Sequence, residues 1–295
     1  MAAKTQIPDS LKADLPPTAW GKILAATPVV MAVIATMLAG LASSEMTRAQ
    51  YDRSSAAQLQ SKAGDQWGYA AAKKTRGALA HNSLDLLAAS VETHSLTAAA
   101  LPGADAATIA AFTKNQLPLV ATPKYDDGVK AALTALADGR PESEISADLA
   151  HVSETSVAQA LAAATDAANG FDAATKSINT ASDKLDEQLM HGAPLVFRDF
   201  SAARLAYTAA RYDAEAKLNQ AVASVYELQV RQRNITAEKH HARSTKFFYG
   251  MLAAQAGVII ATFALAARQR NFLWSLAAAA GALAVAFSVY VYLYV

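Results

Sequence analysis

Three stretches of the chain consist of apolar and small residues and contain no charged side chain. They cover residues 23–44, 247–267 and 272–295. About 20 such residues span the hydrocarbon core of a bilayer as a helix, so each stretch predicts a transmembrane helix, with a buried core helix as the alternative. Only the short basic loop 268–271 separates the last two stretches, which predicts a transmembrane hairpin.

The first stretch could also be a secretory signal sequence, because the small residues at 40–42 would suit a cleavage site. Its uncharged run is, however, longer than the roughly 7–15 residues of a usual signal core. We therefore interpret it as a membrane anchor that follows an N-terminal tail, residues 1–22.

Residues 45–246, between the first two apolar stretches, have a helical pattern of polar and small or apolar positions. The small or apolar residues recur at intervals of three and four, which places them on one face of a helix. One stripe consists of Leu161, Ala164, Ala168, Phe171, Thr175, Ile178, Ser182, Leu185 and Leu189. A second consists of Phe200, Ala203, Tyr207, Ala210, Ala214, Leu218, Ala221, Val225 and Leu228. A third consists of Trp67, Ala70, Lys74, Ala78, His81, Leu84, Ala88 and Val91.

Segment lengths predict how these helices are arranged. Residues 44–97, 142–190 and 195–247 suit single long helices, whereas Pro and Gly punctuate the region around 104–138. A chain that leaves a membrane and returns to it needs an even number of antiparallel passes. We therefore expect an all-α integral membrane protein with three transmembrane helices. A long antiparallel, coiled-coil-like helical bundle of four helices would form the insert between the first and second spans.

Composition supports the helical prediction and excludes several classes of protein. Alanine accounts for 72 of the 295 residues, against 13 Gly and 9 Pro, and alanine is the best helix former. The chain has no cysteine, which excludes a disulfide scaffold, a zinc ribbon and a cysteine nucleophile. With 26 basic and 25 acidic residues, the net charge of +1 indicates no nucleic-acid partner.

One short motif stands out from the periodic background. Lys62-Ala63-Gly64-Asp65-Gln66-Trp67-Gly68-Tyr69 is followed by Ala72-Lys73. Its candidate interaction residues are Lys62, Asp65, Gln66, Trp67, Tyr69 and Lys73. On a helix, Lys62 and Asp65 lie one turn apart and can pair with each other or with a neighbouring helix. The motif is either a packing device, with the Trp67 indole in an alanine-rich seam, or a surface that recognises a ligand or partner.

This motif resembles the hallmark stretch of the bacterial membrane family known as domain-of-unknown-function family 4337. That family also has one early span and a terminal hairpin with an arginine-rich turn, similar to Arg268 and Arg270. Residues 62–76 and 247–281 account for the resemblance, which implies a multi-pass protein of the bacterial inner membrane. The family brings no established reaction, cofactor or substrate.

Basic residues flank the predicted spans on both sides. They are Arg231, Arg233, Lys239, Arg243, Lys246, Arg268 and Arg270. Such side chains mark the membrane interface, with their stems along apolar surface, and on a cytoplasmic insert they could hold anionic lipid headgroups. The positive-inside rule counts the basic residues of short loops and tails. Applied to the loop 268–271 and to the N-terminal tail, it places both in the cytoplasm and the insert outside it.

Small residues four positions apart allow transmembrane helices to approach closely. Gly250 and Ala254 have this spacing in the second span, and Ala277 and Gly281 have it in the third. These four residues are the candidate helix contacts, although in a chain this rich in alanine the same spacing also arises by chance.

Few side chains are candidates for catalysis or metal binding. Glu238 and His241 have the Glu-x-x-His spacing of di-iron helix bundles, but such a site needs a second pair and two further glutamates. We interpret these residues as solvated. The sequence has no phosphate-binding glycine motif and no Gly-x-Ser-x-Gly motif, so we predict no catalytic residue, cofactor or metal.

These observations predict a non-enzymatic membrane protein. The leading hypothesis is a scaffold or accessory subunit that self-assembles or docks on a larger membrane complex, because alanine-rich seams bury little area and would gain from a second chain. The alternatives are a helical-bundle sensor without an output domain of its own and a passive oligomeric pore. The three stretches contain no ionisable Asp, Glu, Lys, Arg or His, which argues against a proton-coupled pump.

Overall fold

The computed structural model describes residues 19–120, 122–266 and 270–294. Within them the chain forms helices α1 (Ala19–Ser90), α2 (Ala106–Lys114), α3 (Asp127–Ala137), α4 (Glu142–Leu149), α5 (Glu154–Met190), α6 (Pro194–Ala266) and α7 (Arg270–Tyr294). A 3₁₀ turn covers Ala98–Ala100. The described residues contain no β-strand, which confirms the all-helical prediction. Most of the predicted N-terminal tail lies outside the described residues.

The chain divides into two compact units. The insert unit comprises Ser54–Ile235, and the terminal unit comprises the chain up to Arg53 and from Thr236 onward. Helices α1 and α6, of 72 and 73 residues, contribute to both. Residues 45–53 and 236–246, which are polar in sequence, therefore belong to the same unit as the apolar stretches.

Three helices are long and apolar enough to cross a membrane, as the sequence predicts. They are α1, α6 and α7, and less than a third of each most apolar window is buried inside the protein. Their buried residues form one core in the terminal unit, which includes Met31, Leu38, Phe247, Ala254, Ala284 and Val291. Most of the apolar surface of these windows is not covered by the described parts of the chain.

The stripe predicted on α5 is the buried face of that helix. Its fully buried members are Ala164, Phe171, Thr175, Ile178, Ser182 and Leu185. Leu161, Ala168 and Leu189 are half-buried. The 3,4 periodicity therefore identified the correct face of α5.

Helix α6 is the most enclosed helix of the insert unit. From Phe200 to Val230, Lys217 alone is exposed. Of the predicted stripe, Phe200, Tyr207, Val225 and Leu228 are buried, and Leu218 and the four alanines are half-buried. Because neighbouring residues cover it on every side, this part of α6 is the centre of the insert unit.

The stripe predicted on the part of α1 that lies in the insert unit is wrong. Of its eight members, five are exposed, two are half-buried and only Ala70 is buried. The exposed members are Trp67, Lys74, Ala78, His81 and Ala88, and the half-buried ones are Leu84 and Val91. The buried residues of this segment lie on a neighbouring face, at Ala56, Ala63, Ala70, Gly77 and Ala80. Residues with little or no side chain let α1 approach α6 closely, whereas the larger side chains that define the predicted stripe do not enter the contact.

Two predicted helix boundaries also differ from the structure. Residues 142–149 form the separate helix α4, and α5 begins only at Glu154. The Ser153 side chain accepts a hydrogen bond from the Ser156 backbone N–H, which satisfies a free donor at the start of α5. At the other end of the insert, α1 ends at Ser90 rather than near residue 97.

Tyr207 lies in an apolar cluster of the insert unit. Its ring packs edge-on against Phe112 at a centroid distance of 5.5 Å, and Phe112 packs against Phe200 at 5.4 Å. The Tyr207 hydroxyl has no hydrogen-bond partner among the described residues. Burial raises the pKa of Tyr207 from 10.0 to about 12.

We expect Tyr207→Phe to leave the free energy of unfolding unchanged or to raise it by up to about 1 kcal/mol, because the variant removes a buried unpaired hydroxyl. The raised pKa means that the unfolded chain releases this proton first, so the wild-type protein should lose stability as the pH rises from 10 towards 12. Thermal unfolding at pH 8 and pH 11, followed by circular dichroism, should show that the variant loses less stability between the two pH values than the wild-type protein does. A less stable variant at pH 8 would contradict this account.

Candidate functional site

The motif around Trp67 lies on α1 in the insert unit and divides between two faces of the helix. Gln66 and Lys73 are half-buried, whereas Lys62, Asp65 and Tyr69 are exposed. One part of the motif therefore contributes to helix packing and the other forms surface.

The Trp67 indole lies outside the alanine seam, by which we mean the buried small residues Ala56, Ala63, Ala70, Gly77 and Ala80 of α1. It is 38% exposed, and its Nε1–H donates a hydrogen bond of 2.8 Å to Glu227 of α6. Arg231 of α6 donates to Glu227 at 3.2 Å and to the two carboxylate oxygens of Glu142 in α4 at 3.0 and 3.1 Å. These contacts join α1, α6 and α4 through polar groups.

We expect Trp67→Phe to lower the free energy of unfolding by about 1 kcal/mol, because it retains an aromatic ring but removes a hydrogen bond to a charged acceptor at a partly exposed site. Chemical denaturation of the full-length protein in detergent measures the change. Tyr69→Phe, on the exposed side of the same helix, is the matched control and should be neutral. Equal losses from both variants would contradict a role for the indole N–H.

Lys73 pairs with the buried carboxylate of Glu215 on α6. Glu215 is 3% exposed and also accepts a hydrogen bond of 3.0 Å from Arg211. Both cations lie over the ring of Tyr212, Lys73 at 5.4 Å and Arg211 at 4.4 Å from the centroid. A shift of α1 along α6 would take the Lys73 ammonium away from this buried carboxylate and leave it with Arg211 alone, and the loss of one partner of a buried charge is costly. The cluster therefore favours one register of the two helices.

The same two helices approach closely at Gly77. A Cβ atom added there would lie 2.8 Å from Asp213 Oδ1 and 3.5 Å from Tyr212 Cβ. One turn further along α1, His81 Nε2 lies 3.4 Å from Asp213 Oδ2. His81 is therefore a polar residue at the edge of the contact between α1 and α6.

The opposite side of the motif belongs to an exposed surface with large apolar side chains. Tyr69, Leu79 and Leu86 are 59%, 60% and 69% exposed. They share one side of α1 with other residues three or four positions apart. We define the outer face of α1 as Lys62, Asp65, Tyr69, Ala72, Arg76, Leu79, Ser83 and Leu86. Its charged members Lys62, Asp65 and Arg76 form no ion pair within the described parts of the chain.

The basic residues predicted near the membrane belong to both units. Arg231 and Arg233 belong to the insert unit, where Arg233 also pairs with Glu154 at 2.8 Å. Both side chains therefore contribute to contacts between helices of the insert.

The other basic residues lie on α6 and at the hairpin. Lys239 is exposed, and Arg243 and Lys246 are half-buried in the terminal unit. Arg270 is the first residue of α7, and Arg268 lies outside the described residues. The described members near the second span are thus on α6, within three turns of Phe247, and Arg270 is on α7 next to the third span.

The small residues predicted at helix contacts lie in the core of the terminal unit. Gly250, Ala254, Ala277 and Gly281 are all buried. A Cβ atom added at Gly281 would overlap Met31, and so would one added at Gly257. The two glycines therefore form a notch that receives the Met31 side chain, and the sequence prediction did not include Gly257 or Met31.

Of the candidate metal-ligating pair, Glu238 is exposed and His241 is half-buried. Glu238 forms an ion pair of 3.6 Å with Arg53. The neighbouring His240 lies 2.6 Å from Glu45 through Nδ1 and 4.0 Å from Asp52 through Nε2. No group of three or more His, Asp or Glu side chains in the described ranges could hold a metal ion.

Sequence reasoning missed the glutamates that pair with the motif. Glu215 has a single alanine on each side, and the charged residues Asp213 and Lys217 follow directly on both sides, so its local sequence does not indicate burial. Nothing around Glu227 distinguishes it in sequence from a surface residue. The motif's resemblance to family 4337 stays a prediction, since no family model, curated protein or solved structure matches the chain.

Proposed function

We propose that the protein is a non-enzymatic scaffold or accessory subunit of the bacterial inner membrane, which self-assembles or docks on a larger membrane complex. Helices α1, α6 and α7 cross the bilayer, and the insert is an antiparallel, coiled-coil-like bundle outside the cytoplasm. The observation that supports this function best is the outer face of α1, which exposes Tyr69, Leu79 and Leu86. Exposed apolar patches rimmed by polar residues are typical of interaction sites.

The contacts on the other side of α1 hold the helix in place and so support its role in presenting the outer face. Trp67 and Lys73 are already bonded to glutamates of α6, so the motif holds α1 against the centre of the insert unit. Side chains that are locked by neighbouring groups make a rigid support for a binding surface. The residues of the outer face therefore lie on a helix whose position is fixed by its contacts with α6.

The mass of the protein extracted from its native membranes tests this function. In mild detergent, native mass spectrometry should give a particle heavier than one 30.9 kDa chain. Leu79→Gln combined with Leu86→Gln should lower that mass, whereas Leu119→Gln, a more exposed leucine away from the outer face, should not. A bare monomer in every mild detergent would overturn the proposal.

Protease accessibility tests the proposed side of the membrane. In spheroplasts, added protease should cut the connection between α2 and α3, because the insert would face outward. Inverted vesicles should protect the same connection. The reverse pattern would place the insert in the cytoplasm and change the set of accessible partners.

A further inference from the structure

Helix α6 carries a half-buried arginine, Arg243, close to an apolar groove in the terminal unit. We propose that the terminal unit binds one membrane phospholipid here, with the lipid phosphate on the Arg243 guanidinium and an acyl chain in the groove. The inference goes beyond the proposed function and shares with it only the placement of α1, α6 and α7 in the bilayer.

Arg243 has no counter-charge among the described residues. It forms no ion pair there, and its Nε atom is buried without a hydrogen-bond partner. Arg198 and Arg211 also have such an Nε atom, but they lie 3.9 Å from Asp199 and 3.0 Å from Glu215. An arginine at a membrane boundary ordinarily keeps its charge in water. A guanidinium that is partly withdrawn from water is costly without an anion, so Arg243 has the properties of an anion-binding group.

The carboxylates of the terminal unit have other partners. Within residues 19–53, 236–266 and 270–294 they are Glu45, Asp52 and Glu238. The first two lie 2.6 and 4.0 Å from the His240 imidazole, and the third pairs with Arg53 at 3.6 Å. The anion for Arg243 therefore does not come from this part of the chain.

An apolar groove of about 350 Å³ is formed by α1, α6 and α7. Residues from all three helices line it, among them Met37, Leu41, Phe247, Val289 and Tyr292. Ser288 also lines the groove, but its hydroxyl donates a hydrogen bond of 2.6 Å to the Ala284 carbonyl and so adds no free polar group. A hydrocarbon chain is the ligand that such a surface favours.

A hydrogen bond between α1 and α6 shows where Arg243 lies relative to the groove. The hydroxyl of Ser244, the residue after Arg243, donates to the carbonyl of Ala42, the residue after Leu41, at 2.7 Å. Arg243 is therefore level with the Leu41 end of the groove. It also lies one turn before Phe247 on the same side of α6, and Phe247 contributes to the groove.

The order of these groups matches the order of groups in a phospholipid. Leu41 lies near the end of the predicted span 23–44, whereas Ile34, which also lines the groove, lies near its middle. The two are about 10 Å apart along the helix at 1.5 Å per residue. A chain in the groove thus runs from the boundary towards the bilayer centre, and the phosphate meets Arg243, whose planar guanidinium suits phosphate oxygens. Phospholipids lie at both boundaries, so the site does not depend on the side that the insert faces.

Native mass spectrometry of the full-length protein in mild detergent tests the site, with dioleoyl phosphatidylglycerol as the added lipid. One lipid should bind per chain. Arg243→Gln should weaken its binding about tenfold, the effect of losing one hydrogen bond to a charged group. Lys239→Gln is the matched control, because it removes an equal charge that is exposed and one turn further from the span, and it should bind like the wild type. Dioleoylglycerol, which has the same chains without the phosphate, should bind about tenfold more weakly than the phospholipid.

A second pair of variants tests the groove. Val289→Trp fills it and should weaken phospholipid binding about tenfold while Arg243 is intact. Leu283→Trp places the same side chain at an exposed position of α7 that does not line the groove, and it should leave the affinity unchanged. Equal affinities of the wild type and Arg243→Gln, equal affinities for the two lipids, or unchanged affinity in Val289→Trp would each overturn the proposal.

The outcomes for this site and for the scaffold function are distinguishable. A bare monomer that retains the phospholipid through Arg243 would overturn the scaffold function and leave the lipid site standing. A heavy native complex without Arg243-dependent lipid binding would overturn the lipid site alone.

Discussion

Replacement of Glu215 by glutamine is expected to lower the free energy of unfolding by about 3 kcal/mol, the range found when one partner of a buried ion pair is removed. Glutamine retains the shape of the side chain but leaves Lys73 and Arg211 without their shared counter-charge. Thermal and chemical unfolding of the full-length protein in detergent, followed by circular dichroism, measures the loss.

Two further variants test whether the loss of stability comes from the buried ion pair. Glu187→Gln changes an exposed glutamate of α5 and should have little effect on stability. The triple variant Lys73→Met, Arg211→Leu and Glu215→Leu should recover most of the loss, because apolar residues of similar volume can replace a buried ion pair. If Glu215→Gln and Glu187→Gln unfold at the same denaturant concentration, the carboxylate does not hold α1 to α6.

Replacement of Gly281 by valine is expected to destabilise the terminal unit by about 2 kcal/mol, within the range for an overfilled core. The new side chain would occupy the space that Met31 fills between Gly257 and Gly281. Since Met31 is buried and its sulfur is among the overlapping atoms, the methionine must leave the notch or the helices must separate. The midpoint of thermal unfolding in detergent reports the change.

The partner and the control for this variant both lie on α1. Met31→Ala combined with Gly281→Val should recover part of the loss, because the valine then fills the space that the methionine vacates. Gly40→Val is the matched glycine substitution, since an added Cβ at Gly40 meets no atom within 4 Å. If Gly40→Val and Gly281→Val lower the midpoint equally, β-branching within a helix, and not the Met31 notch, explains the effect.

The buried face of α5 could be predicted from the sequence because its residues contrast strongly with their surroundings. Phe171, Ile178 and Leu185 are large and apolar, while Asp172 and Lys176 lie between them. Burial of each large side chain contributes roughly 1.5–3 kcal/mol to the free energy of unfolding. One face is therefore much more favourable to bury than any other.

The buried face of α1 could not be predicted in the same way. Ala63 and Ala70 are buried, but Ala71, Ala72 and Ala78 are exposed. Alanine offers little apolar area at roughly 25 cal/mol per Å², so hydrophobicity does not select among these faces. Within the insert unit, Trp67, Tyr69, Leu79 and Leu86 of α1 are exposed, which is why a stripe drawn through Trp67 identifies the wrong side.

Only one half of the candidate site could be predicted from the sequence. The motif identifies Trp67 and Lys73, but their partners Glu227 and Glu215 lie more than a hundred residues away along the chain. Local spacing cannot indicate which distant residue faces a given side chain. The exposed pair Leu79 and Leu86 also became a candidate surface only when the opposite side of α1 was known to be buried.

The sequence by itself determined that the protein is helical and that three of its helices are long and apolar enough to span a membrane, because helix formation and span length depend on local composition. Only the tertiary structure decided which side of α1 packs against α6 and which side is left as the outer face. That choice depends on close approach at Gly77 and on the pairing of Lys73 with a buried Glu215. Both are properties of two helices in contact and of neither helix alone.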